Sequence, residues 1–144
     1  MPHVDTPVKY APLDHYPHMR PADVVIWQRF LMKYPDRFLR VWYDAHVGAD
    51  DEMPDGVHPL AHASWCDLTS WKIDVVAEDE QFFYVIEVKP FANAKAIGQA
   101  LSYSHLFRDK FRPDKPVFAV VLTDRIIPTA QRCADHCGVK MWEV

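Results

Sequence analysis

The amino-acid sequence predicts a single α/β domain, in which a central mixed β-sheet is flanked by helices on both faces. Three observations lead to this prediction. Three segments carry the spacing, composition or end signals of helices, and short runs rich in β-branched and aromatic residues alternate with them. One of those runs is almost wholly apolar, which is typical of a buried parallel strand. The chain has 144 residues, 49% of them hydrophobic and 25% charged, as expected for one globular domain.

The N-terminal residues 1–20 are predicted to form an irregular arm, and residues 21–144 to form the domain itself. Residues 1–21 contain five of the twelve prolines and three of the eight histidines, a composition typical of irregular structure. We interpret those histidines as surface groups: His3, His15 and His18. Four apolar residues could dock the arm onto the core: Tyr10, Leu13, Tyr16 and Met19.

The first helix is predicted to begin at Pro21, because proline suits the first helical position. Asp23 suits the first turn, since its charge meets the positive end of the helix dipole. Apolar residues then recur at helical spacing: Val24, Trp27, Leu31 and Tyr34. Pro35 ends this pattern. Residues 38–47 are rich in β-forming residues and predict a strand, and residues 48–64 predict a long loop.

A β-hairpin is predicted next. Residues 71–77 form its first strand, residues 78–80 its turn and residues 81–89 its return strand. Pro90 is expected to end the return strand, because proline has no N–H to donate to a neighbouring strand.

The last third of the chain predicts two more strands and two more helices. Residues 92–107 form an alanine-rich helix, and residues 117–122 form the buried apolar strand. Residues 129–137 form a short helix that Gly138 ends, and residues 139–144 form the last strand. The predicted order is therefore α-β-β-β-α-β-α-β.

The hairpin carries the residues that point most clearly to chemistry. Side chains alternate along a strand, so Glu87 and Lys89 emerge on one face and Ile86 and Val88 on the other. Asp74, on the neighbouring strand, can lie beside Glu87. We expect two carboxylates and one amine to converge at one end of the sheet.

This set of groups suits phosphodiester hydrolysis. Mg²⁺ or Mn²⁺ would be held by Asp74, Glu87 and the Val88 carbonyl, together with water, and Lys89 would stabilise the developing negative charge or orient the attacking water. The alternative is an amphipathic hairpin with three solvated charges. However, Glu87 and Lys89 interrupt an otherwise nearly apolar strand, where charges cost free energy unless they are paired or bound to metal.

At these positions the sequence resembles the PD-(D/E)xK nuclease superfamily, which includes type II restriction enzymes, Holliday junction resolvases and RecB-like nucleases. Asp74 matches the metal-binding Asp, and Glu87-Val88-Lys89 matches the (D/E)-x-K motif. Gln99 and Tyr103 resemble the Q-x3-Y element of the RecB-like branch, with Lys95 one helical turn earlier on the same face. The resemblance covers roughly residues 21–127.

The resemblance implies a restriction-endonuclease-like core and a deoxyribonuclease that depends on Mg²⁺ or Mn²⁺. Such an enzyme would act in repair, recombination, restriction or phage DNA processing. In the family, the helix face that carries Lys95, Gln99 and Tyr103 looks toward the active site and the DNA backbone.

Two departures from the family pattern matter. Ile73 precedes Asp74, where the family name has Pro. The family often supplies another Glu from its first core helix, whereas residues 1–51 contain no Glu. Gln28 lies about where that acid would fall, and Asp23 and Asp44 are candidate substitutes.

A non-catalytic binding or assembly module with a nuclease fold is therefore the alternative function, which the net charge of −4 also favours. A third option is an enzyme subunit that needs a protein partner for specificity. A homodimer is expected, because two-fold symmetry suits cleavage of both DNA strands. The sequence shows no signal peptide and no apolar run that could span a membrane, so we predict a cytoplasmic protein.

Other residues have ordinary structural interpretations. Three histidines outside the arm are interpreted as surface or partly buried groups, although His105 could serve catalysis and His58 and His62 could touch the active site. Trp65 and Trp71 could stack on bases, although packing at the core or its rim is commoner for Trp near strands. The three cysteines are interpreted as free thiols: Cys66, Cys133 and Cys137.

Overall fold

A mixed β-sheet forms the centre of the computed structural model, which describes residues 6–48, 55–61, 64 and 69–144. Within these residues the sheet has six strands, which lie side by side in chain order. They are β1 (Val8–Lys9), β2 (Arg40–Gly48), β3 (Ser70–Glu78), β4 (Phe83–Phe91), β5 (Val117–Arg125) and β6 (Lys140–Glu143). Strands β1 to β4 are antiparallel neighbours, whereas β5 and β6 run parallel to β4. The prediction of a mixed sheet is confirmed.

Helices cover both faces of the sheet, as predicted. Helix α1 (Pro21–Lys33) lies on one face, and α2 (Ala94–Phe111) and α3 (Pro128–Cys137) lie on the other. From Pro21 onward the described elements follow one another as α1, β2, β3, β4, α2, β5, α3 and β6, with a short 3-10 turn at Pro59–Ala61. In the described part of the chain, no helix is long and apolar enough to cross a membrane.

Two layers of apolar side chains hold the helices to the sheet. On the α1 face, Trp27 and Phe30 pack against Val75, Ile86 and Leu122. The opposite layer packs under α2 and α3, with these buried members: Ile73, Val76, Val85, Ala100, Phe107, Val121 and Ala134. Because strand side chains alternate, one strand supplies both layers.

The N-terminal arm is packed against the core over its described part. Val8 and Lys9 pair with β2, and the Tyr10 hydroxyl donates a hydrogen bond of 2.8 Å to the Tyr34 carbonyl. The four apolar residues expected to dock the arm all pack against the α1 layer: Tyr10, Leu13, Tyr16 and Met19. The arm therefore has a fixed path over the α1 side of the domain.

The prediction that Pro90 ends the hairpin strand is wrong, because β4 continues to Phe91 and stays paired with β5. The Val88 N–H points toward β3, and the backbone repeats every two residues, so the nitrogen of Pro90 lies on that same side. Strand β3 no longer pairs with β4 there. The missing N–H of Pro90 therefore removes no ladder hydrogen bond.

Several element ends differ from the predictions. Helix α2 begins at Ala94 instead of residue 92, because Asn93 caps it through a hydrogen bond of 3.1 Å from the Ala96 N–H. It ends at Phe111 instead of residue 107, and β5 extends to Arg125 instead of residue 122. Some interpreted residues lie outside the described ones: His3, His62, Trp65, Cys66 and much of the predicted loop.

Candidate active site

Strands β3 and β4 diverge at Asp74. Their pairing runs from Glu78 opposite Phe83 to Val75 opposite Ile86, and the next position would place Asp74 opposite Glu87. There the Asp74 side chain takes the place of a backbone partner, since its Oδ2 accepts a hydrogen bond of 3.0 Å from the Val88 N–H. This bond fixes a carboxylate in the opening between the two strands.

Glu87 lies inside this opening with only 2% of its surface exposed. Its Oε2 is 3.8 Å from the Lys89 Nζ. Its Oε1 is buried and has no hydrogen-bond partner among the residues that the structure describes. Buried polar atoms without partners are rare and costly, so this oxygen points to a cation as its partner.

The electrostatics of the pair are unfavourable without a cation. Burial, and then the neighbouring Asp74 carboxylate, raise the pKa of Glu87 to about 8, against the opposing charge of Lys89. Burial also raises the pKa of Asp74, although the Val88 N–H and Lys89 lower it. Two carboxylates this close cannot both carry charge cheaply in a poorly solvated place. The site therefore favours positive charge.

Asp23 brings a third acidic side chain to the same place from α1. It is 4% exposed, sits in the first turn of the helix and accepts a hydrogen bond of 3.4 Å from the Arg20 N–H. Its charge contributes to the raised pKa of both Asp74 and Glu87. Of the three residues considered in place of the absent helix Glu, Asp23 lines the cavity next to Asp74, whereas Gln28 and Asp44 do not line it.

A cavity of about 350 Å³ opens beside Asp23 and Asp74, and Glu87 is not among its lining residues. Asp23 and Asp74 line it, together with four basic side chains: His18, Arg20, Lys89 and Lys95. The acidic side chains form the floor of the cavity, and the basic side chains form its rim. This distribution suits a ligand that carries negative charge and that would approach a cation bound by the acidic groups. His18 and Arg20 belong to the arm; the sequence indicates His18 only as a surface group and gives no motif that includes Arg20. Only the left-handed backbone of His18, with φ of 64°, marks this part of the arm as unusual.

One face of α2 turns toward the site. Lys95 and Gln99 line the cavity. Tyr103 lies one turn further along, where its hydroxyl accepts a hydrogen bond of 3.3 Å from the Gln99 Nε2 and its ring centroid is 5.7 Å from that of Trp71. Burial raises the pKa of Tyr103, and the Glu87 carboxylate raises it further. Gln99 and Tyr103 thus lie on the side of α2 that faces Asp74, Glu87 and Lys89.

The other residues considered for function lie elsewhere. His58 accepts a hydrogen bond from the Leu60 N–H in an exposed turn, and His105 is exposed on α2. Cys133 and Cys137 are exposed free thiols on α3, as predicted. Within residues 6–48, 55–61, 64 and 69–144, no group of three or more His, Cys, Asp or Glu side chains is arranged to hold a metal ion. A metal at the site would therefore rely on two carboxylates plus other oxygens.

Comparisons with known proteins give a likeness of fold. No protein-family model and no curated protein matches the chain. The structure is similar to a chain of the solved EndoMS–dsDNA2 complex, with a TM-score of 0.50 and 14% sequence identity. The match covers 92% of this chain and 48% of that one, so this chain spans about half the length of its neighbour. At this identity, the likeness shows the fold alone.

Proposed function

We propose that this protein is a metal-dependent nuclease that hydrolyses DNA phosphodiester bonds, with Asp74, Glu87 and Lys89 at its reaction centre. The observation that carries the proposal is the buried Glu87, whose Oε1 has no partner within the described structure and whose Oε2 lies 3.8 Å from the Lys89 amine. Such a group weakens the fold unless a cation binds there. Its position beside Asp74, under a basic rim, suits catalysis on a phosphate.

Asp74, Glu87 and the Val88 carbonyl would hold Mg²⁺ or Mn²⁺. The Val88 N–H faces Asp74, and the N–H and C=O of one residue in a strand point to the same neighbouring strand, so its carbonyl faces the same opening. Mg²⁺ keeps several waters and is commonly bound by one or two carboxylates, so this set is sufficient. When bound, the ion would polarise a phosphoryl oxygen and make a water more acidic.

The remaining roles fall to side chains of this chain. Lys89 stabilises the negative charge that develops on the phosphate, or orients the attacking water, because its amine lies 3.8 Å from the Glu87 carboxylate. Arg20 and Lys95 on the cavity rim bind neighbouring phosphates. Asp23 lines the same cavity and would add negative charge near the ion.

Three lines of support favour DNA as the substrate. The motif resembles that of the PD-(D/E)xK superfamily, with a Q-x3-Y element as in its RecB-like branch. The fold is like that of EndoMS, which was solved with dsDNA. The rim of the cavity is basic although the chain carries a net charge of −4. A homodimer, a separate specificity partner and a role in repair, recombination, restriction or phage DNA processing stay predictions.

A cleavage assay tests the proposal. Purified wild-type protein is titrated with Mg²⁺ and Mn²⁺ on supercoiled, linear and single-stranded DNA. Lys89→Ala should lower the cleavage rate by about 10²- to 10³-fold, because it removes one electrostatic stabiliser of the transition state. Lys33→Ala, at the far end of α1, is the matched control and should cut like wild type.

Two outcomes would contradict the proposal. The first is an absence of metal-dependent cleavage by wild-type protein on every DNA form. The second is equal trace activity in wild type and Lys89→Ala, which would come from a contaminant. DNA binding without cleavage would support the non-catalytic module instead.

A further inference from the structure

Trp71 presents a half-exposed indole beside the candidate active site. It lies on β3, three residues before Asp74, and 52% of its surface is exposed. Its ring rests against Tyr103, with the two ring planes inclined by 53°. Single exposed apolar residues are ordinary on protein surfaces, so the exposure alone indicates nothing. The neighbourhood of Trp71 is what distinguishes it.

A groove of about 520 Å³ lies between Trp71 and α2. Its other lining residues are Leu101, Ser102, His105, Leu106 and Arg108. Two of these, His105 and Arg108, have basic side chains, and no carboxylate lines the groove in the part of the chain that the structure covers. Apolar and aromatic walls with cationic groups fit a ligand that has flat uncharged parts and an anionic backbone.

The groove continues the candidate active site along one helix. Ser102 and Leu106 follow Lys95 and Gln99 at spacings of three and four residues, so the four share one side of α2. Tyr103 joins the two regions, since it contacts Gln99 on the site side and Trp71 on the groove side. From Lys95 to Leu106 the helix rises by roughly 17 Å, which is room for a few nucleotides.

A second exposed ring lies on the other side of the site. Phe91 is 73% exposed, lines the active-site cavity and follows Lys89 by two residues, so the two share one strand face. Phe91 and Trp71 both belong to the end of the sheet where β3 and β4 have diverged. Exposed aromatic rings therefore flank the carboxylates along the strands on either side of the opening.

We infer that the groove between Trp71 and α2 binds unpaired nucleotides, with a base stacked on Trp71, so that the substrate is DNA with a single-stranded segment. Bases of an intact duplex are stacked on each other, and their faces are closed to an indole. Unpaired bases offer a free face to an aromatic ring, and cationic side chains follow their phosphates. This inference rests on the proposed function and adds the form of DNA that the site accepts.

Binding measurements in the Lys89→Ala background test the inference without cleavage. The probes are one fluorescent oligonucleotide as a single strand, as a blunt duplex, and as a duplex with a single-stranded tail. Adding Trp71→Ala should weaken binding of the single strand and the tailed duplex by about 5- to 100-fold, because stacking on one ring is lost. Binding of the blunt duplex should stay unchanged.

Two further variants separate stacking from damage to the fold. Trp71→Phe keeps an aromatic face and should retain affinity within about threefold for every probe. Tyr34→Ala removes another partly exposed aromatic ring, one that packs against Phe30 on the opposite face of the sheet, and should change none of the affinities.

The outcomes distinguish this inference from the proposed function. Equal weakening of all three probes by Trp71→Ala, or an equal effect of Trp71→Phe, would overturn the stacking role. If wild-type protein cuts blunt duplex with Mg²⁺ and Trp71→Ala changes no affinity, the nuclease proposal stands and this inference fails. If no probe binds to Lys89→Ala and wild type cuts none of them, both fail.

Discussion

At the scale of single residues, Glu87 is the clearest conflict between stability and function. A carboxylate with 2% exposure and one oxygen without a partner inside the described structure does not stabilise the fold. Strand β4 would be more stable with an apolar residue there, as at Val85 and Val88 on either side. The sequence already indicates this conflict, because a charged pair interrupts an apolar run.

Glu87→Gln should stabilise the metal-free protein at pH 8. Burial and the charge of Asp74 raise the pKa of Glu87 from 4.5 to about 8, so the folded state loses stability as the pH rises from about 4.5 toward 8. Gln carries no charge and escapes this loss. The gain in free energy of unfolding should be at least about 1 kcal/mol at pH 8 and should vanish near pH 4.

Thermal unfolding at pH 4, 6 and 8 in the presence of a chelator measures this gain. Glu80→Gln, at an exposed turn position, should leave Tm unchanged throughout. A variant that is less stable than wild type at pH 8, or a difference that is independent of pH, would show that Glu87 is paired in the folded protein.

At the scale of elements, the β3–β4 hairpin is held at the end away from the site by Arg37 and Asp79. The Arg37 guanidinium donates hydrogen bonds of 2.9 Å to Asp79 and to the Tyr84 hydroxyl, and lies over the ring of Phe38. Asp79 also accepts hydrogen bonds from the Gln81 and Phe82 N–H groups in the turn. The closed end of the hairpin is therefore held together by side-chain contacts, and its other end is open.

Asp79→Asn should weaken the fold at neutral pH and have little effect near pH 2. Burial alone would raise the pKa of Asp79, but Arg37 and the turn N–H groups lower it to about 2 from 3.8. A lowered pKa contributes stability above pH 4, which is lost as the pH falls toward 2. Because both groups are partly exposed, the expected loss at pH 7 is about 1 to 2 kcal/mol.

Urea unfolding at pH 7 and at pH 2.5 provides the comparison. Asp14→Asn, on the exposed part of the arm, is the control and should behave like wild type. If Asp79→Asn costs as much at pH 2.5 as at pH 7, the charge of Asp79 contributes nothing and only its turn hydrogen bonds matter.

Local patterns predicted the helices and strands well, and long-range contacts explain the differences. The alternation of side chains along a strand predicted that Ile86 and Val88 lie on the face opposite Glu87 and Lys89. In the structure, Ile86 and Val88 belong to the apolar layer under α1. Pro90 was predicted to end its strand, but the strand continues through it because β3 has already diverged from β4. No local sequence pattern shows this divergence. Asp23 was one of three candidates for the acidic residue that the first helix lacks. Only the position of α1 in the fold shows that Asp23 is the one that lines the cavity.

At the scale of the whole molecule, the fold brings distant parts of the chain to one cavity. The arm contributes His18 and Arg20, α1 contributes Asp23, the hairpin contributes Asp74 and Lys89, and α2 contributes Lys95. A net charge of −4 is therefore compatible with a basic rim around an acidic centre. Sequence composition could not reveal this distribution, since it depends on which segments meet.

Arg20→Ala and Lys95→Ala should each weaken DNA binding. In the Lys89→Ala background, each change should reduce the salt dependence, expressed as the slope of log K against log salt, by about one unit if the side chain contacts one phosphate. Lys33→Ala should leave the slope unchanged, because Lys33 ends α1 away from the cavity. Slopes that match the control in both variants would remove the rim from the DNA-binding surface.

The position of a bound metal ion would show whether Asp74 and Glu87 form the reaction centre. We expect a crystal of the protein soaked in Mn²⁺ to show an anomalous peak between Asp74 and Glu87, about 2.1 Å from a carboxylate oxygen of each and from the Val88 carbonyl. Asp74→Asn should lose the peak and keep the fold, because the Asn Oδ1 can still accept the Val88 N–H. An absent peak at a Mn²⁺ concentration that supports cleavage, or a peak held by other residues, would contradict the account.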